Sequence, residues 1–108
     1  MQVELCVVQG CPHAALALTR LREALTSLGR SGTPVTTTVI ASREMADARG
    51  FTGSPSFLVD GRDVLASSAP AAVACRLYRG EDTTEGLPTS RALAEAIRRS
   101  TGEALRRP

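Results

Sequence analysis

Val3, Leu5 and Val7 alternate with Glu4 and Cys6 and run into Val8, a stretch apolar enough to predict a strand covered on both faces. Ala14, Leu18, Leu21, Leu25 and Leu28 then recur at three- and four-residue steps, with Arg20, Arg22 and Glu23 elsewhere around the axis. That spacing predicts an amphipathic helix over residues 12–28, stopped by Gly29. Pro34 opens a β-branched run at residues 35–40, a strand by propensity. Ser42 is placed to cap a short helix over residues 43–49, and Gly50 to end it. Gly53-Ser54-Pro55 breaks the chain before a strand at residues 56–59, and Asp60-Gly61 predicts a two-residue hairpin turn into residues 62–65. After Pro88, Thr89 or Ser90 caps a last helix whose Leu93, Ala96 and Ile97 face the sheet and whose Arg98, Arg99, Arg106 and Arg107 suit its C-terminal end.

The order βαβαββα, with the first two strands joined through a helix and therefore parallel, predicts an α/β fold: a mixed four-stranded sheet flanked by helices. Residues 1–108 form one domain on this reading, with no internal repeat and no linker. Residues 66–88 are rich in Ser, Ala, Pro, Gly and Thr and are expected to be a loop insert, apart from a short apolar segment at 73–78.

Composition narrows the function classes. Phe51, Phe57 and Tyr78 are the only aromatic residues, so the core is aliphatic. All 13 basic residues are arginine, a usage associated with a GC-rich bacterial gene. The net charge of +2 and the scattered arginines give no track for a phosphate backbone, which disfavours nucleic acid as a partner. The chain opens on strand-like residues rather than a basic region followed by an apolar core, and no stretch reaches the roughly 18 apolar residues of a membrane span. The expected location is the cytoplasm, with no membrane partner. The 3 cysteines, an odd number, do not suit a secreted disulfide framework, and in a reducing compartment they point to buried, catalytic or metal-binding roles.

Cys11-Pro12-His13 is the candidate for chemistry. A cysteine where a strand gives way to a helix meets backbone N–H groups that lack intrahelical partners and the positive end of the macrodipole, both of which favour a thiolate. Pro12 suits the first helical position because it has no N–H to leave orphaned. His13, the only histidine, can add a positive charge or a hydrogen bond beside the sulfur. Cys6, mid-strand, reads as inert core. One histidine and no Cys-x-x-Cys pair do not make a zinc site, and His13 follows no nucleophile elbow, so neither structural zinc nor serine hydrolysis is expected. No cofactor is called for.

With Cys11 at the start of the first helix and Ser54-Pro55 just before the third strand, the chain resembles the thioredoxin fold over all but residues 66–88. The resemblance implies a cis Ser54-Pro55 bond lying against Cys11, with Pro12, Ser54 and Pro55 shaping a substrate groove. Cys11-Pro12-His13 is similar to the first three residues of the CPHC site of DsbA-type oxidases, and Cys11-Pro12 to the CPYC site of glutaredoxins. Ala14 stands where both have a second cysteine.

A substitute follows from topology. If the third strand starts beside Cys11 and runs to the Asp60-Gly61 turn, the fourth returns to the Cys11 end by about residue 66, and the loop carrying Cys75 begins there. Cys75 could then resolve a mixed disulfide formed on Cys11. A closer resemblance, carried by Cys11-Pro12-His13, Gly53-Ser54-Pro55, Val59-Asp60-Gly61 and Cys75-Arg76-Leu77-Tyr78, is to small bacterial thioredoxin-like proteins often labelled alkylmercury lyases. Three functions are therefore open. The first is thiol-disulfide exchange on a protein or small-molecule substrate, with Cys11 as nucleophile, His13 supporting it and Cys75 resolving. The second is handling of an organomercurial or soft metal by Cys11 and Cys75, since soft thiolates suit a soft metal. The third is a binding module that uses the same groove without catalysis.

Overall fold

In the computed structural model the described residues are 1–65, 83–84 and 86–101. The chain runs β1 (Val3–Val7), α1 (Ala14–Ser27), β2 (Val35–Val39), α2 (Arg43–Arg49), β3 (Ser56–Val59), β4 (Arg62–Asp63), β5 (Thr83–Thr84), β6 (Leu87–Pro88) and α3 (Ser90–Thr101). The four-stranded sheet has the order β2-β1-β3-β4, with β2 parallel to β1 and the other neighbours antiparallel. This is the α/β architecture expected, and its topology resembles that of thioredoxin. Among the described residues no helix is long and apolar enough to cross a membrane.

The period-2 alternation of β1 divides its side chains between two cores. Val3, Leu5 and Val7 join Phe57 and Val59 of β3 on the face covered by α1 and α3, where Ala17, Leu21, Ala24, Leu25, Leu93 and Ile97 are buried. Cys6 and Leu58 turn to the other face and pack with Ile40, Ala46 and Phe51 beneath α2. β1 is thus a central strand covered on both sides, as its near-continuous apolar run predicts.

Local signals set the boundaries well. α1 ends at Ser27 with Leu28 as its C-cap; Gly29 N–H donates to the Thr26 carbonyl (3.0 Å), and the φ of 74° at Gly29 turns the chain so that Arg30 N–H reaches the Leu25 carbonyl (2.8 Å). At α2, Ser42 Oγ accepts from Met45 N–H (3.2 Å). The hairpin turn has φ of 52° at Asp60 and 84° at Gly61, as a two-residue primed turn requires. Thr89 Oγ1 accepts from Ala92 N–H (3.1 Å) and caps α3.

Two expectations are corrected. The segment after the hairpin is a two-residue ladder rather than a strand over 62–65: Val64 N–H still bonds the Phe57 carbonyl (3.0 Å), but Asp63 Oδ1 accepts Leu65 N–H (2.8 Å) and bends the chain. At the end of the stretch expected to be loop, residues 83–84 and 87–88 pair as β5 and β6, and Leu87 is fully buried against α1 and α3; residues 66–82 lie outside the described residues. A two-residue ladder has no period to read, so composition alone hid it. Arg20 holds this segment to α1 by donating to the carbonyls of Leu87 (3.3 Å) and Pro88 (3.2 Å).

Candidate thiol site at the strand-to-helix junction

Between β1 and α1 the chain folds through consecutive turns. Cys11 N–H donates to the Val8 carbonyl (3.2 Å) and Ala14 N–H to the Cys11 carbonyl (3.3 Å), and Gly10 takes the left-handed φ of 74° that the first turn needs. The first helical bond runs from Ala17 N–H to the His13 carbonyl (2.9 Å). His13 is therefore the N-cap, with φ of −98° and ψ of 0°, and its side chain makes no capping hydrogen bond. Pro12 is exposed and precedes the N-cap; it does not occupy the first helical position, because the turns use up the residues that a direct strand-to-helix step would have placed there.

Cys11 is half-buried, a free thiol packed at the rim of the core that α1 and α3 cover, beside Ala14. Ser54 and Pro55 are both buried, and the bond between them is cis. The β1–β3 register pairs Cys6 with Ser56. Continued by two residues, it sets Ser54 in the row of Val8, whose carbonyl holds Cys11 N–H. Cys11, Pro12 and His13 on one turn and Ser54 and Pro55 on another thus share one end of the sheet. Ser56 Oγ closes the second turn by donating to the Gly53 carbonyl (2.6 Å). Ser54 Oγ is fully buried with no hydrogen-bond partner among the described residues. Such a hydroxyl costs about 1–3 kcal/mol if nothing satisfies it.

The opposite end holds the hairpin turn. Gln2 N–H donates to Asp60 Oδ1 and Asp60 N–H to the Gln2 carbonyl, both at 2.8 Å. From the Gln2 row to the Val8 row the strand climbs about 20 Å at roughly 3.3 Å per residue, so Asp60 is not an acid for chemistry at Cys11. Cys75 lies outside the described residues, and with it the paired-thiolate arrangement that mercury handling needs. Among the described residues no three His, Cys, Asp or Glu side chains are grouped to hold a metal ion.

No family model, no curated protein and no solved structure matches the chain. The site's chemistry is therefore read from its own groups.

One cluster escaped the sequence reading. Glu4, on the α2 side of β1, accepts hydrogen bonds at Oε2 from Thr38 Oγ1 and Arg49 Nη1, both at 2.5 Å. Arg49, the last residue of α2, has no signal in the sequence linking it to a strand 45 positions away. Beneath them lies Cys6, with no exposed surface; burial, then the Glu4 carboxylate, pushes its thiol from an ordinary 9.0 up to about 11, against an opposing pull from Arg49. Cys6 is thus held as a neutral thiol, in keeping with inert core.

A concavity of about 470 Å³ borders this cluster and is lined by Gln2, Glu4, Pro34, Thr36, Arg49 and Gly61, while another of about 410 Å³ lies between α1 and α3. Neither includes Cys11 or His13.

Proposed function

We propose that this chain is a thioredoxin-like thiol-disulfide oxidoreductase with Cys11 as its nucleophile. The observation that carries the reading is the position of Cys11: half-exposed, on the turn that leads into α1, at the sheet end shared with Ser54 and Pro55. A sulfur there is partly accessible and precedes a 14-residue helix whose N-terminal end favours a thiolate, and the buried Ser54 hydroxyl belongs to the turn at the same end of the sheet. His13 adds charge beside it when protonated.

The Cys11 thiolate attacks one sulfur of a substrate disulfide, forming a mixed disulfide and expelling the other sulfur as a thiolate that takes a proton from solvent. A second thiol then attacks the Cys11 sulfur and releases the rest of the substrate as a thiol. The chain's own candidate for that step is Cys75; failing it, a low-molecular-weight thiol completes the exchange. Two molecules of such a thiol then reduce a Cys11–Cys75 disulfide by two exchanges, or one more molecule frees Cys11 from its mixed disulfide with the small thiol by a single exchange; either way the small thiol ends as its own disulfide.

The test is alkylation by iodoacetamide across pH, read by peptide mass, alongside turnover of a chromogenic aromatic disulfide. Cys11 is expected to alkylate at neutral pH well ahead of Cys6, and Cys11→Ser to abolish turnover. A Cys11 that alkylates along the same pH profile as a cysteine in an unstructured peptide overturns the activation. Turnover that survives Cys11→Ser overturns the nucleophile assignment, and absence of turnover with intact partner capture leaves the binding-module reading in its place. Cys75→Ser separates the two resolving routes in a single turnover without added thiol: release of the second half of the substrate by wild type, with a mixed disulfide that persists on Cys11 in Cys75→Ser, assigns resolution to Cys75, whereas a mixed disulfide that persists in both assigns it to the small thiol.

A further inference from the structure

We propose that β2 is a self-pairing edge, through which two copies of this chain join their sheets about a two-fold axis. The proposal is independent of the chemistry at Cys11. β2 is the outer strand of the sheet, paired only with β1 among the described strands. Its sequence, Val35-Thr36-Thr37-Thr38-Val39, reads the same in both directions. It carries no charge and no proline, the usual means by which an edge strand is kept from pairing with another chain. Thr36, Thr37 and Val39 are exposed, and Val39, at 47%, is one of two large exposed hydrophobic residues among those described.

The direction of the backbone groups decides the register. Ile40 N–H donates to the Val7 carbonyl (2.7 Å), so the main-chain groups of Thr36, Thr38 and Ile40 turn toward β1. Those of Val35, Thr37 and Val39 therefore turn outward. In an antiparallel pair, opposed residues whose groups face each other exchange two N–H···O bonds. Centring the two-fold axis on Thr37 places outward residues opposite outward residues throughout: Val35 meets Val39 of the second copy, Thr37 meets its own counterpart, and Val39 meets Val35. Thr36 and Thr38 then face each other on the α2 side of the joined sheet, and the valines pair on the other side. Matched valine and threonine neighbours of this kind are favourable cross-strand pairs. A slip by one residue sets outward groups against inward ones, and a slip by two pairs valine with threonine and loses bonds at the ends. The palindrome and the backbone phase thus select the same register, and the contact is isologous.

A single strand edge buries far less than the roughly 1,600 Å² of a standard interface, so the dimer is expected to depend on concentration. Sedimentation equilibrium of the full chain tests it. The weight-average mass is expected to rise from 11.3 kDa toward twice that value with increasing concentration. Thr37→Pro removes an outward N–H at the centre of the pairing and leaves the bonds to β1 intact, so it is expected to hold the chain at 11.3 kDa with an unchanged circular dichroism spectrum. Thr37→Lys, which sets two like charges directly opposite each other, gives the same outcome without a backbone change. Thr37→Cys is expected to oxidise to a dimer linked through position 37, because hydrogen-bonded antiparallel partners stand about 5.5 Å apart between Cα atoms, within disulfide range. A mass fixed at 11.3 kDa at every concentration overturns the proposal, as does a dimer that persists in Thr37→Lys.

Discussion

Alkaline pH should destabilise this protein through Cys6, and the effect is isolated by comparison with a Cys6→Ala variant. The Cys6 thiol is fully buried, and burial together with Glu4, and to a smaller extent Asp63, raises it from 9.0 to about 11 in the folded state; Arg49 restrains the rise. In the unfolded chain the thiol loses its proton near the ordinary value. The folded value lies above the unfolded one, so the contribution to stability is complete below about pH 9 and is lost as the pH climbs through about 11. Two pKa units at 1.36 kcal/mol each make the loss on the order of 2–3 kcal/mol, against a total of about 5–15 kcal/mol for a typical domain. Few other groups titrate in that window, since the chain has no lysine, 1 tyrosine and arginines that stay charged. Urea unfolding of the reduced protein, followed by circular dichroism from about pH 8 to about pH 11, should show wild type losing that amount relative to Cys6→Ala. The variant itself pays a pH-independent packing cost of about 1 kcal/mol. Every other group is common to the two proteins and cancels in the difference. If the stability gap between wild type and Cys6→Ala stays constant across this range, Cys6 is not the buried acid described above.

Two further perturbations test the frame that positions the thiol site. Leu21, fully buried between α1 and the sheet, should cost about 3–5 kcal/mol when truncated to alanine, read as a fall in urea midpoint at unchanged slope. Gly61→Val should cost about 1–2 kcal/mol from backbone strain alone, because φ is 84° and a Cβ there meets no atom within 4 Å; an unchanged melting temperature contradicts the primed turn.

Where the sequence carried local signals, it described the fold closely. α2 could be read to the residue because Ser42 and Gly50 bracket it with a side-chain cap and a left-handed stop. The Asp60-Gly61 turn followed from turn chemistry, whereas the placing of Pro55 beside Cys11 was implied by the resemblance to the thioredoxin fold and not by any local signal. The start of α1 was read two residues early, because Pro12 suits a first helical position as well as the turn it occupies. The β5–β6 ladder and the burial of Leu87 were hidden by length, since two-residue strands carry no alternation. The Glu4–Arg49–Thr38 cluster was hidden for a different reason: it joins three elements through the register of β1 on β2 and the length of α2, and neither is written in any one segment.

Cys6 and Cys11, five positions apart, show how the fold separates two thiols of the same strand-to-helix unit. Strand alternation sends Cys6 under α2, while Cys11 lies past the end of β1 on the rim of the other core. What the described site lacks is a second sulfur beside Cys11, and the geometry says where one would fit. Ala14 N–H bonds the Cys11 carbonyl at 3.3 Å, so the two residues close one turn, which brings their Cα atoms within about 7 Å. That overlaps the separation of about 4.4–6.8 Å that a disulfide spans. Ala14 is half-buried against the same core rim as Cys11, so the substitution adds a sulfur without opening a cavity. Ala14→Cys should therefore oxidise to a disulfide with Cys11, seen as a linked peptide by mass spectrometry. It should also make disulfide turnover independent of Cys75, so that Cys75→Ser in this background leaves the rate unchanged. If oxidation instead leaves Cys11 alkylatable, the turn does not present the Cys11 sulfur toward position 14, and the monothiol arrangement is enforced by side-chain direction rather than by the identity of one residue.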